Sequence, residues 1–331
     1  MSDAVRDGLA RFLTGHWRRP VTIPWLAVTS AGARRLNVLF DADDGATRHE
    51  LVVTAIPNAN IELTPITLEA ETIRTAEAAG VPAAHVVCQS QDPSWLGGGF
   101  FITRRIAGET VPRRVLRLVA ERGHGDAIAT RLGEALARLH AIPSERIPPH
   151  LARPDNGDPA ATSLARLRDQ LAELLQSAPA INLGMRWLEA RKPAPPARCV
   201  LIHGDARNGN LIVSERGLEA LLDWEGSSVG DPMADLAWPC VRTWRFGEDA
   251  QEVGGFAGRA PLVAGYESAG GRFDAERFHW WKVLGTLRWA LGLAGQARAH
   301  IDGSVPNIVM AASGRRVAEL EYDLLCLLRP G

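Results

Sequence analysis

Apolar residues fall in short β-branched runs over the first hundred positions and at three-and-four spacing after that. Residues 36–41 and 50–56 are two such runs, separated by the turn sequence Asp43-Asp44-Gly45, and predict a hairpin. The small residues of 29–33 just before it predict a turn. Residues 67–79 have helical character and stop at Gly80, with Pro82 close behind. Residues 86–88 and 100–103 are further strand candidates, flanking a loop over 93–99. Beyond Ile106 the period changes. Ile128, Leu132, Leu136 and Leu139 mark a helix over 127–140, and 161–176 reads as a second. Prolines assign 143–159 and 191–198 to loops, and residues 200–202, 211–213 and 218–222 are short strands. The remainder reads as helices over 233–241, 259–269, 275–299 and 305–328. The chain therefore predicts an α+β fold in two lobes: a small strand-rich lobe over 1–104 and a larger helical lobe over 105–331. A cleft between two such lobes is where ligands usually bind.

Composition narrows the class. The 331 residues are 46% hydrophobic and 23% charged, which excludes collagenous, coiled-coil and disordered chains. A net charge of −1 gives no reason to expect a nucleic-acid partner. The four cysteines (Cys88, Cys199, Cys240, Cys326) are far apart, so neither a zinc site nor a disulfide framework is expected. The N-terminal stretch lacks a signal-peptide core, and no uncharged apolar run reaches the ~20 residues that span a membrane. The expectation is a cytoplasmic protein without membrane partners. One feature is unusual: of 37 basic residues only Lys192 and Lys282 are lysines, so the first 191 residues contain none.

The most informative stretch runs from Leu201 to Leu211. A strand enters, a strand leaves, and between them stand His203-Gly204-Asp205 and, five residues after the aspartate, Asn210. Asp223 follows thirteen residues later, beyond the next strand pair. A few hard oxygen ligands suit Mg²⁺, which keeps some waters and shares itself with substrate phosphates. A carboxylate outside the metal can orient a hydroxyl and accept its proton. Such a set suits phosphoryl transfer, which needs positioning and charge rather than covalent chemistry.

His203-Gly204-Asp205 to Asn210, then Asp223-Trp224-Glu225 and Gly230-Asp231-Pro232 to Asp235-Leu236-Ala237, resembles the aminoglycoside phosphotransferase family. Gly108-Glu109-Thr110, residues 136–140 and residues 240–247 resemble its subgroup related to the kinase-like domain fused to some acyl-CoA dehydrogenases. The resemblance implies a protein-kinase-like fold, ATP or GTP as phosphate donor, Mg²⁺ as cofactor and a small-molecule hydroxyl acceptor. It also implies roles. Asp205 would be the catalytic aspartate, Asn210 and Asp223 the metal ligands, and Glu69 the helix glutamate that pairs with a basic residue. Arg104 to Ile106 would be the hinge facing adenine, and His203 and Asp235 the scaffold of the catalytic loop. Asp231-Pro232 reads simply as a helix start, Asp as N-cap and Pro in the first turn.

The nucleotide side departs from the family pattern. Thr54 falls where a strand lysine or arginine is expected, and the phosphate loop reads Ser30-Ala31-Gly32-Ala33-Arg34-Arg35, with one glycine but two arginines. Either Arg34 or Arg35 supplies the missing charge, or the chain is a weakened, pseudokinase-like homologue. A remoter alternative is a serine hydrolase, since residues 226–230 form a GxSxG around Ser228. On the acceptor side the tryptophans of the helical half, Trp244 and Trp281 among them, suggest an apolar or mixed substrate rather than a polycationic aminoglycoside. Arg207, Glu225 and Arg242 are polar candidates for that pocket.

Overall fold

The computed structural model describes residues 2–31, 35–56, 65–174 and 178–329. In chain order the elements are α1 (Ser2–Trp17), β1 (Thr22–Ala31), β2 (Leu36–Asp43), β3 (Arg48–Ala55), α2 (Ile66–Ala78), β4 (Val86–Ser90), α3 (Pro93–Leu96), β5 (Phe100–Arg104), α4 (Pro112–Arg122) and α5 (Gly125–His140). They continue as α6 (Pro159–Leu174), α7 (Pro179–Ala190), β6 (Val200–Ile202), β7 (Leu211–Ser214), β8 (Gly217–Leu221), β9 (Ser228–Gly230), α8 (Pro232–Ala237), α9 (Arg259–Ser268), α10 (Ala275–Ile301), α11 (Ile308–Ser313) and α12 (Val317–Leu328).

The first five strands form one antiparallel sheet in the order β1-β2-β3-β5-β4. Alternation along the strands sends side chains to two different cores. Leu51, Val53 and Ala55 of β3, with Phe100 and Ile102 of β5, pack under Leu9 and Leu13 of α1. Phe101, between the last two, points the other way, into a cluster with Ile66 and Ile73 of α2 that runs on into Leu132, Leu136 and Leu201 of the helical lobe. The two lobes therefore share apolar core as well as a chain connection. A backbone contact adds to this: the amide of Leu221 donates to Pro82 O (2.8 Å).

Two small ribbons, β6-β9 and β7-β8, carry the loops of interest on the helical lobe. The Asp231 carboxylate accepts from the amide of Met233 (2.9 Å) and Pro232 opens α8, as the N-cap reading requires. Elsewhere the structure revises the sequence reading. The turn expected over 29–33 begins too early, because β1 continues to Ala31. The 93–99 loop holds the single turn α3, capped by Asp92 on Ser94 N (2.9 Å). The helices α1, α4 and α7 escaped notice because each buries few apolar residues against a strongly charged or short sequence; α4 buries just Val115 and Val119. The helix expected over 305–328 is interrupted at Gly314, where a Cβ would come within 2.6 Å of Ala297 Cβ. That close approach to α10 breaks the path and lets α12 pack on α7 and α10. No helix among the described residues is long and apolar enough to cross a membrane.

Candidate active site

The loop after β6 is held from behind by one buried carboxylate. Asp235 of α8 accepts from the amides of His203 and Gly204, both at 2.7 Å, and from His140 Nε2 at 3.1 Å. Burial disfavours its charge, but these donors outweigh burial and hold its carboxyl below the ordinary value. Asp235 is therefore ionised, and His140 Nε2 carries the proton; the other ring nitrogen meets the Tyr266 hydroxyl at 3.0 Å. Gly204 has φ +79, and a Cβ there would lie 2.3 Å from Gly226 O, so the turn admits only glycine.

Asp205 then points into the cleft with donors on both oxygens. Oδ1 accepts from the Trp238 indole N–H (2.6 Å) and Arg207 Nε (3.2 Å), and Oδ2 accepts from Asn210 Nδ2 (2.6 Å). Asn210 Nδ2 also donates to Asp205 O at 3.0 Å, which folds the five-residue span back on itself. The guanidinium of Arg207 lies over the Trp244 ring at 4.2 Å and that of Arg288 over Trp238 at 3.8 Å. These tryptophans, with Trp289, make a separate small aromatic cluster behind the carboxylate.

On the opposite wall the charge comes from Arg35. Its Nη2 and Nη1 meet the two carboxylate oxygens of Glu69 at 2.7 and 3.2 Å, its Nε meets Glu225 at 2.9 Å, and Nη1 lies 3.6 Å from Asp223. Burial works against the guanidinium, but Glu69 foremost and then Glu225 and Asp223 hold its pKa above the ordinary value. Burial pushes Glu69 upward, with Arg35 pulling it back. Thr54, where the strand cation was expected, donates its hydroxyl to Asn37 Oδ1 at 2.9 Å. The statement that Glu69 lacks a cation holds for Thr54 but not for the site, because Arg35 reaches it from the strand start beside the phosphate loop. Ser30 pairs with Asn37 in the β1–β2 ladder, while Gly32 and Arg34 lie outside the described residues.

Asp223 follows β8 in the left-handed region (φ +64), an uncommon conformation for a residue with a side chain. The amide of Leu222 donates to Asn210 O (2.8 Å), so the two oxygen-bearing residues are fixed to one another through the backbone. Burial raises the Asp223 carboxyl to about 7, with Glu225 adding to the shift and Arg35 opposing it. The Asn210 side-chain oxygen makes no hydrogen bond to a described residue. A free amide oxygen beside a crowded, partly protonated carboxylate fits a hard divalent cation that completes its shell with water and phosphate oxygens. Among the described residues no group of three His, Cys, Asp or Glu side chains could hold a metal alone.

The other sequence candidates separate. Arg104 ends β5 and is exposed; Ile106, two residues on, is half-buried, and its backbone makes no hydrogen bond to a described residue. Trp281 lines a cavity of about 310 Å³ that also touches Gly204, Trp238 and Arg288, next to Asp205. Arg207 and Trp244 stack beside Asp205, and Glu225 is committed to Arg35. Arg242 is bound to Asp249 and Asp323 (2.5 and 2.6 Å) and does not line this cavity. The nucleophile-elbow alternative fails on geometry: Ser228 sits within β9, paired with Ile202, and makes no hydrogen bond to a histidine among the described residues. Sequence reasoning missed Trp238 as a partner of Asp205 and His140 as a donor to Asp235. Nothing in local spacing signals either contact, each of which spans more than thirty residues.

A small antiparallel sheet with one glutamate-bearing helix, set against a helical lobe with paired Asp–Asn and Asp loops, defines a protein-kinase-like phosphotransferase fold. The chain belongs to the phosphotransferase enzyme family, whose profile matches residues 25–279. Over 191 residues it is 29% identical to mouse acyl-CoA dehydrogenase family member 10, covering 57% of this chain and 17% of that one. Over 173 residues it is 30% identical to the Arabidopsis thaliana probable acyl-CoA dehydrogenase IBR3, covering 49% and 20%. The chain thus spans about a fifth of the length of these relatives. Among solved structures, a Ralstonia eutropha protein assigned as an aminoglycoside phosphotransferase has a TM-score of 0.74 at 21% identity, covering 97% of both chains. A thermostable mutant of aminoglycoside phosphotransferase APH(4)-Ia, in ternary complex with ADP and hygromycin B, has a TM-score of 0.63 at 15% identity, covering 96% and 98%.

Proposed function

We propose that the chain transfers the γ-phosphate of ATP or GTP to a hydroxyl of a small molecule, favouring a small metabolite or hydroxyacyl compound over an aminoglycoside. We further propose residues 1–104 as the nucleotide lobe and 105–331 as the lobe that carries the catalytic loop and acceptor site. The observation that carries the reading is the Arg35 fork, which joins Glu69 of the small lobe to Asp223 and Glu225 of the large one. A guanidinium offers phosphate the same planar pair of donors that it offers carboxylate. This favours competence over the weakened-homologue reading, which rested on the neutral Thr54.

In this mechanism Asp205 faces the acceptor hydroxyl. Its two oxygens are already oriented by Trp238, Arg207 and Asn210, so it holds the hydroxyl in line and takes its proton as the bond to phosphorus forms. Asn210 and Asp223 would hold Mg²⁺, which supplies charge neutralisation on the transferring phosphoryl group. Arg35 contacts the phosphates, and the free backbone of Ile106 faces the base. Relatives with bound ADP and AMP-PNP support a nucleotide donor for the fold. Calorimetric titration with ATP and Mg²⁺ tests the reading; no heat at millimolar nucleotide would refute it. A panel of hydroxyl acceptors with γ-labelled ATP, repeated on Asp205→Ala, tests the mechanism; transfer that survives the substitution would contradict it.

A further inference from the structure

The cavity beside Asp205 lies between α6, β9 and α10, and its charged lining is mostly cationic. Arg153, Arg166 and Arg288 all face it. Among the described residues none of the three has a carboxylate within ion-pair distance. Arg288 donates to Gly204 O (3.3 Å) and rests on Trp238; Arg153 and Arg166 are exposed. The Trp281 indole N–H, on a side chain buried in the same wall, has no acceptor. The cavity's one acid, Asp231, is spent on Arg277 (2.5 Å) and on the amide of Met233. Leu167 and Leu284 supply apolar surface between these groups.

A buried donor without an acceptor is costly unless a ligand provides one, and guanidinium groups with no carboxylate partner are free to make charge-assisted hydrogen bonds to an anion. The same charges repel a polyamine. We propose that this cavity is the acceptor site and that it selects hydroxyl compounds carrying an anionic group, a carboxylate or a phosphate ester, held by Arg153, Arg166 and Arg288. The proposal rests on the phosphotransferase reading for its location, and on the excess of guanidinium groups over carboxylates in the lining for its chemistry. The acceptor's apolar segment lies along Leu167 and Leu284, and its hydroxyl reaches past Gly204 to Asp205.

A matched series tests it: 6-hydroxyhexanoate, 6-hydroxyhexyl phosphate, hexane-1,6-diol and 6-aminohexan-1-ol share one chain and one hydroxyl and differ in head charge. Turnover with ATP and Mg²⁺ should favour an anionic head over the ammonium by about tenfold or more in kcat/KM, because like charges at a built site are strongly disfavoured. The carboxylate and phosphate arms distinguish the two sources of charge. The double variant Arg153→Gln/Arg166→Gln, at two exposed positions where folding is retained, should bring the ratio close to one; Arg216→Ala, in the distant β7–β8 turn, should leave it intact. Binding of the same probes without nucleotide, followed by ligand-observed NMR, separates the two readings. Anionic probes that bind the parent but not the double variant support the site even where no phosphate is transferred. Turnover that ignores head charge, a preference for the ammonium, or no binding of either anionic probe would overturn it.

Discussion

The two walls of the cleft reach order by different means. The catalytic wall is held inside its own lobe: Asp235 gathers the His203 and Gly204 amides and His140, and Trp238, Arg207 and Asn210 orient Asp205. The phosphate wall depends chiefly on Arg35, which ties Glu69 to Asp223 and Glu225 across the lobes, with the Trp224 backbone amide also on Glu69. A network with many partners tolerates no single loss cheaply, because each deletion leaves a buried group unpaired. A single fork, by contrast, can be moved to another part of the chain as long as its charge arrives at the same place. The departure of Thr54 from the family pattern illustrates the second case.

Substitutions can separate the walls. The largest effect is expected from Asp205→Ala, which should lower phosphoryl transfer by roughly 10²–10⁴-fold while leaving nucleotide binding in place; single-turnover assays with labelled ATP alongside calorimetry would check it. Asp235→Ala should cost about 3–5 kcal/mol of folding free energy, the range for breaking a buried pair, read from denaturant unfolding. It should disable transfer through loss of the loop rather than of any contact with substrate. Arg35→Ala should weaken nucleotide binding by about 1.5–3 kcal/mol, the worth of hydrogen bonds to charged groups, and should also lower the unfolding midpoint, because the buried Glu69 carboxylate loses its cation. If the comparison is right, Thr54→Lys added to Arg35→Ala recovers part of that loss, because the cation has merely been returned to the strand. A further effect is in pH. Asp223 is protonated up to about 7 in the folded chain and from 3.8 down in the unfolded one. The folded state therefore binds this proton more tightly, and without metal Asp223 lowers stability progressively as pH rises between those values. Asp223→Asn should raise the melting temperature of the metal-free protein above that window and leave it unchanged below. In the parent, Mg²⁺-nucleotide affinity should fall as pH drops through about 7.

Much of this was legible in the sequence because it is local. The Asp205–Asn210 spacing, the Asp231-Pro232 cap and the hairpin of β2 and β3 each lie within a few residues or a simple period. The lobes follow from the change of period near Ile106. What escaped is long-range. Trp238 reaching Asp205, Tyr266 reaching His140 and the unpaired arginines around one cavity join residues that sequence distance keeps apart. Arg35 is intermediate. The charge balance flagged a missing cation and two arginines as replacements, but only packing brings Arg35 to Glu69. Arg242 shows the reverse error, since its charge suggested the acceptor pocket and its partners Asp249 and Asp323 tie it elsewhere.

The absence of lysine from the small lobe also changes how the proposed nucleotide site can be detected. Reagents that read nucleotide sites by acylating a nearby primary amine find no such amine in the small lobe. The two ε-amino groups of the chain are occupied far from it, Lys192 by Asp158 and Lys282 by Glu252, both at 2.6 Å. A survey that labels kinases through their lysine would therefore pass over this one, however tightly it binds nucleotide. A dicarbonyl probe directed at guanidinium groups is the chemistry that would report its cleft.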